Sequence, residues 1–166
     1  MKQTLNWRLL VIAFLISMTS GQARAADDPA TLVVKDFIAS WQTFDIDKIM
    51  SYVADDCYYA NEPSLTGANP VLMGRIKMRE FLAPFFVRDP LIVPFKFHTE
   101  IKDMIAGGGG VVIQRVDNFQ IANGKFAVKV AGIFKVKDGK IVYWMDYFDG
   151  GAFGPISTLM SNLAKK

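Results

Sequence analysis

Residues 111–149 read VVIQRVDNFQIANGKFAVKVAGIFKVKDGKIVYWMDYFD, with apolar residues recurring at alternate positions around two turn signals, Asn123-Gly124 and Asp138-Gly139. A period of two belongs to a strand, and Asn-Gly and Asp-Gly suit tight hairpins because they tolerate positive φ. The stretch therefore predicts three antiparallel strands, near 111–121, 126–136 and 140–149. Residues 93–105 carry a similar pattern up to the glycines Gly107 to Gly110 and supply a fourth strand, completing a meander. A strand follows those glycines where a phosphate-binding loop needs a helix, so they read as a hairpin tip.

Upstream, the pattern changes to helices. Asp28-Pro29 suits a cap and first turn for a helix carrying Val33, Phe37, Ile38 and Trp41 on one stripe, and Asp45 caps a short second helix through Tyr52. Cys57-Tyr58-Tyr59-Ala60 is a short aromatic strand that runs into a loop reaching Gly74. A third helix runs from Arg75 to about Phe86; Ile76, Phe81, Leu82 and Phe85 suit packing on a sheet, and Pro84 kinks or ends it. Helices grouped first and strands later imply an α+β domain: a curved, mostly antiparallel sheet closed by N-terminal and central helices.

Residues 1–25 read as a secretory signal peptide. Lys2 and Arg8 precede the apolar run Leu9 to Met18, and Ala23-Arg24-Ala25 suits cleavage. This ten-residue run falls well short of the roughly 20 that span a bilayer, so no stable membrane anchor is expected. Without Lys2, Arg8 and Arg24, the 19 basic residues become 16, equal to the 16 acidic ones. A neutral remainder lacks the basic patch that nucleic acid requires. Residues 26–166 then form one domain in a periplasmic or secreted protein. Cys57 has no partner for an internal disulfide, and one Cys with one His, His98, makes no metal-ligand set. His98 reads as a core or rim residue outside the chemistry.

The turn residues also set an expected register. An Asn-Gly hairpin pairs Ala122 with Lys125, which places Arg115 opposite Gly132 and Asp117 opposite Val130. A three-residue loop at Lys137-Asp138-Gly139 pairs Val136 with Lys140 and sets Asp146 opposite Val130. By parity, Ile113, Arg115, Asp117, Phe119, Phe126, Val128, Val130, Gly132, Phe134, Val142, Trp144, Asp146 and Phe148 share one face. The aspartates then stand two strands apart, roughly 10 Å between backbones. Arg115 lies diagonal to both, and Gly132 leaves room beneath its guanidinium. A planar guanidinium forks to two carboxylates in a way lysine does not. Two ionised aspartates and one arginine would carry a net negative charge into an apolar pocket, and one retained proton neutralises it. That leaves one acid and one base for chemistry on a neutral substrate. These residues leave open which aspartate keeps the proton.

At this point the residues resemble the limonene epoxide hydrolase family. Gln114-Arg115-Val116-Asp117 is similar to that family's Glu-Arg-x-Asp strand, and Tyr59-Ala60-Asn61 to its Tyr-x-Asn. Gly132-Ile133-Phe134, Asp138-Gly139-Lys140-Ile141 and Trp144-Met145-Asp146-Tyr147-Phe148-Asp149 resemble its last two strands. The resemblance implies the cone-shaped fold shared with ketosteroid isomerase and nuclear transport factor-like proteins, no metal or organic cofactor, and one-step hydrolysis of an epoxide. It implies Asp146 as the base that activates water, Tyr59 and Asn61 as holders of that water, Asp117 as the acid and Arg115 as the bridge. Met145 departs from an arginine common in the family.

Phe85, Phe119, Phe134, Trp144 and Phe148 supply an apolar lining for a small epoxide substrate. The opposite sheet face, with Ala127, Ala131, Ile133, Ile141, Tyr143, Met145 and Tyr147, is too apolar for a solvated surface and suits a homodimer interface. Two other classes use the same residues: an isomerase or cyclase of the ketosteroid-isomerase kind, with one aspartate as base, and a non-catalytic periplasmic carrier of a hydrophobic ligand.

Overall fold

A computed structural model of the chain describes residues 28–62, 71–86, 96–121, 124–152 and 154. The signal-like segment 1–25, most of the loop between Asn61 and Gly74, and the side chain of Phe85 lie outside the described residues.

Helix α1 (Pro29–Ser40) starts where proline and a carboxylate allow: Asp28 is its cap and accepts from the Ala30 N–H at 2.9 Å. Helix α2 (Ile46–Met50) starts on Asp45, which accepts from the Asp47 and Lys48 amides. Strand β1 (Val53–Glu62) is longer than the aromatic tetrapeptide alone, and a short β2 (Val71–Met73) follows it. Helix α3 (Arg75–Leu82) gives way to a 3-10 turn at Ala83, the residue before Pro84, as the steric demand of proline requires. Met78 and Leu82 are its buried residues. Ile76, expected on the packed face, is 75% exposed, because the helix turns its 78/82 stripe inward.

Strands β3 (Lys96–Gly107), β4 (Gly110–Ile121), β5 (Gly124–Lys137) and β6 (Lys140–Phe148) form the expected meander. The sheet order is β2-β1-β6-β5-β4-β3. Every neighbouring pair is antiparallel except β1 with β6, which is parallel. That single pairing sets Tyr59 beside Trp144 and Asn61 beside Asp146, joining the N-terminal half of the chain to the meander.

Two expected registers are corrected, each by two residues. The β4/β5 hairpin closes on Ile121 and Gly124, so Gly124 belongs to the strand; Arg115 lies opposite Val130 and Asp117 opposite Val128. The β5/β6 hairpin closes on Lys137 and Lys140 over a two-residue turn, with positive φ at Asp138 and Gly139. Such a turn alone would point Asp146 away from the concave face. A bulge restores it: pairing passes from Val136–Ile141 to Lys135–Tyr143, leaving Val142 as the extra residue. Asp146 therefore faces Gly132, and Ile141 rather than Val142 enters the core, with no exposed surface.

The core lies between α1 and the concave face. Phe37 is its centre, fully buried and in edge-on contact with Trp41, Tyr52, Phe134 and Trp144. A smaller apolar cluster of Val128 and Val130, with Phe119, Phe126 and Phe148 against it, continues along the same face.

Candidate active site

Five residues singled out in the sequence lie on the concave side of three strands, and all are buried: Tyr59 and Asn61 on β1, Arg115 and Asp117 on β4, and Asp146 on β6. Alternation along each strand turns 59 and 61, and 115 and 117, to the same side. Arg115 meets both aspartates, unequally. Its Nη1 and Nη2 donate to Oδ1 and Oδ2 of Asp146, both at 2.8 Å, a two-bond fork. Its Nε is shared between the oxygens of Asp117 at 3.2 and 3.1 Å. Asp146 thus receives two short, well-directed charge-assisted bonds and Asp117 one divided, longer one.

The space for this fork comes from Gly132. A Cβ there would stand 2.8 Å from Nη1 of Arg115, 2.8 Å from Cε2 of Phe134 and 2.9 Å from Oδ1 of Asp146. Asn61 donates from Nδ2 to the hydroxyl oxygen of Tyr59. The Tyr59 hydroxyl accepts that bond and retains its own proton, since burial, aided by the nearby Asp146 charge, raises its pKa. Burial also works against the Arg115 charge, but the two carboxylates outweigh it and its pKa is raised. Burial is likewise the largest influence on Asp117 and raises its pKa, while Arg115 and a hydrogen bond from Thr99 oppose the shift. Burial therefore favours the neutral, protonated form of Asp117.

The family model for the limonene-1,2-epoxide hydrolase catalytic domain matches residues 28–159. The chain belongs to this family. Among characterised relatives of this limonene epoxide hydrolase family member, epoxide hydrolase EphG of Mycobacterium tuberculosis is 30% identical over 116 residues, 70% of each chain. A solved LEH-like epoxide hydrolase from M. tuberculosis superposes with a TM-score of 0.61 at 26% identity, covering 83% of this chain and 97% of that one. A putative isomerase from Bacillus subtilis superposes at 0.63 with 12% identity, covering 76% and 93%; at that identity the likeness is one of fold. Epoxide hydrolysis is accordingly the activity class of the family in which this chain stands.

Of the expected apolar lining, Phe134 and Trp144 are buried in the main core cluster, next to Phe37, whereas Phe119 and Phe148 are partly buried against the second cluster. His98 is exposed on β3, because its neighbours Phe97 and Thr99 take the inward positions; it is not a core residue. Cys57 is buried, and burial pushes its thiol up to about 12, which leaves it inert.

One polar neighbour of the trio was missed in the sequence. Thr99 pairs directly across from Asp117, is 8% exposed, and donates from Oγ1 to Asp117 Oδ1 at 2.7 Å. The pairing Gly107–Gly110 alone would bring Glu100 opposite Asp117. A bulge between Ile101 and Asp103 shifts the register by one and brings Thr99 there instead. The alternation Phe97, Thr99, Ile101 was a usable signal, since both of its flanking members are apolar.

Proposed function

We propose that this protein is an epoxide hydrolase that adds water to a small apolar epoxide in one step, giving a vicinal diol. The observation that carries this reading is the unequal grip of Arg115. It holds Asp146 as a carboxylate by its two-bond fork, and leaves Asp117, which burial pushes toward the neutral form, as the acid. In the reaction Asp146 takes a proton from water, and the water oxygen forms a bond to one epoxide carbon. The C–O bond of that carbon breaks, and the freed oxygen takes the proton of Asp117. Asp146 ends protonated and Asp117 ionised; transfer of one proton between them restores the starting state. Tyr59 and Asn61, hydrogen-bonded to each other and adjacent to Asp146, hold the attacking water. Phe119, Phe134, Trp144 and Phe148 supply the apolar lining for the substrate. Acid and base each contribute about 10² to 10⁴ in rate, and no metal or organic cofactor enters the scheme.

Turnover of an epoxide panel in ¹⁸O-labelled water tests the reading. One labelled oxygen per diol is expected from the first turnover, whereas an ester intermediate would leave the first-turnover oxygen unlabelled. The rate should fall as pH rises through the raised pKa of Asp117, because the acid is lost there. The same group works on stability in the same direction: its contribution is fully present below the ordinary value of 3.8 and is lost as pH rises through the raised one.

Two further features belong to the proposal. The outer sheet face presents a stacked Tyr58–Tyr143 pair, with rings 5.0 Å apart, and the 45%-exposed Tyr147, a surface that favours burial against a second copy. Light scattering at micromolar concentration should give the mass of a dimer, and a monomer mass refutes the interface. Residues 1–25 are proposed to direct export; the exported protein should begin near Ala26 by N-terminal sequencing.

A further inference from the structure

Thr99 contacts the proposed acid without being part of the acid–base pair, and the geometry gives it a definite task. It is a β-branched residue on β3, stiff at χ1, with its hydroxyl fixed 2.7 Å from Asp117 Oδ1. Oδ1 also receives Nε of Arg115 at 3.2 Å, whereas among the described residues Oδ2 receives only Nε, at 3.1 Å. Two donors already point at Oδ1, so a proton placed there would face both of them. Oδ2 keeps the open lone pair.

We infer that Thr99 is a positioning residue that occupies Oδ1 of Asp117 and so directs the transferable proton to Oδ2. The inference deepens the hydrolase reading and rests on it for the word transferable. It has a second consequence. A hydroxyl donating to a carboxylate favours the charged form, so Thr99 makes Asp117 more willing to release its proton than burial alone would allow. Among the described residues, the charged groups that face Asp117 are Arg115 from its own strand and Asp146 from β6; Thr99 is the neutral donor from β3, whose neighbours His98 and Glu100 are exposed. Tyr59 on β1 stays neutral across the working range, its pKa being raised.

Thr99→Val removes the hydroxyl and nearly preserves the shape. The expected result is a fall in kcat of about tenfold with KM changed less than about twofold, and an upward move of the basic limb of the rate profile by about one pH unit, the two being equivalent at 1.36 kcal/mol per unit. Thr99→Ser, which keeps the donor, should return both toward the parent. A purely structural role would lower stability without moving the limb. The aspartate carboxyl ¹³C resonance, titrated in the parent and in Thr99→Val, reads the same shift without turnover. If the parent forms no diol but Asp117 still titrates higher in Thr99→Val, the hydrolase reading falls and the hold of Thr99 on Asp117 stands. If the parent forms diol while limb and titration stay put in Thr99→Val, the inference falls alone. Should the valine variant not fold, Thr99→Ala against Thr99→Ser gives the same comparison with the same two outcomes.

Discussion

Asp146→Asn is expected to reduce diol formation by more than the about 10² to 10⁴ that a single acid or base contributes. The charge balance of the trio is the reason. With Asp146 ionised and Asp117 neutral, one positive charge meets one negative charge in a buried site. An amide at 146 removes the negative charge, and Arg115 then draws the proton off Asp117, whose pKa the neighbouring Asp146 charge helps to raise. Base and acid are lost in one substitution. The amide also turns an N–H toward one arm of the guanidinium fork. A stability loss of about 3 kcal/mol follows, near the low end for a broken buried ion pair because Asp117 takes over part of the role. Asp117→Asn behaves differently, since an amide resembles the neutral acid and the Arg115–Asp146 fork remains. It should cost about 10² to 10⁴ in kcat with little change in melting temperature. Rates of diol formation and thermal melts on both variants check the contrast; equal stability losses would contradict the unequal protonation of the pair.

Gly132→Ala should be nearly as damaging, although it adds one methyl group and removes no charge. Its Cβ meets the guanidinium, the Phe134 ring and the Asp146 carboxyl inside 3.0 Å. Phe134 is wholly buried and Arg115 is held at both ends, so neither side chain has room to give. Overpacking of this kind costs about 1–3 kcal/mol. The easier relief is a lateral shift of the fork, and displacement of a catalytic group by about 1 Å costs about 10² in rate. A soluble, folded Gly132→Ala with kcat lowered about a hundredfold is expected from steady-state kinetics and circular dichroism. Parent-like kcat would mean that the fork is not the working arrangement.

Much of this protein was determined by its sequence alone, for local reasons. The period of two across residues 111–149 and the helical stripe ending at Trp41 are properties of backbone geometry, so the α+β class, the meander and the caps at Asp28 and Asp45 followed directly. The shared face of Arg115, Asp117 and Asp146 followed too, because a register error of two residues preserves parity. What tertiary structure alone decided was position along the strands and the partners from distant segments. Bulges at Val142 and Lys102 kept Asp146 on the concave face and set Thr99, not Glu100, beside Asp117; a bulge is a compromise between turn geometry and packing that no local pattern records. The parallel pairing of β1 with β6, which brings Asn61 to Asp146, joins residues 85 positions apart and depends on the burial the finished sheet provides.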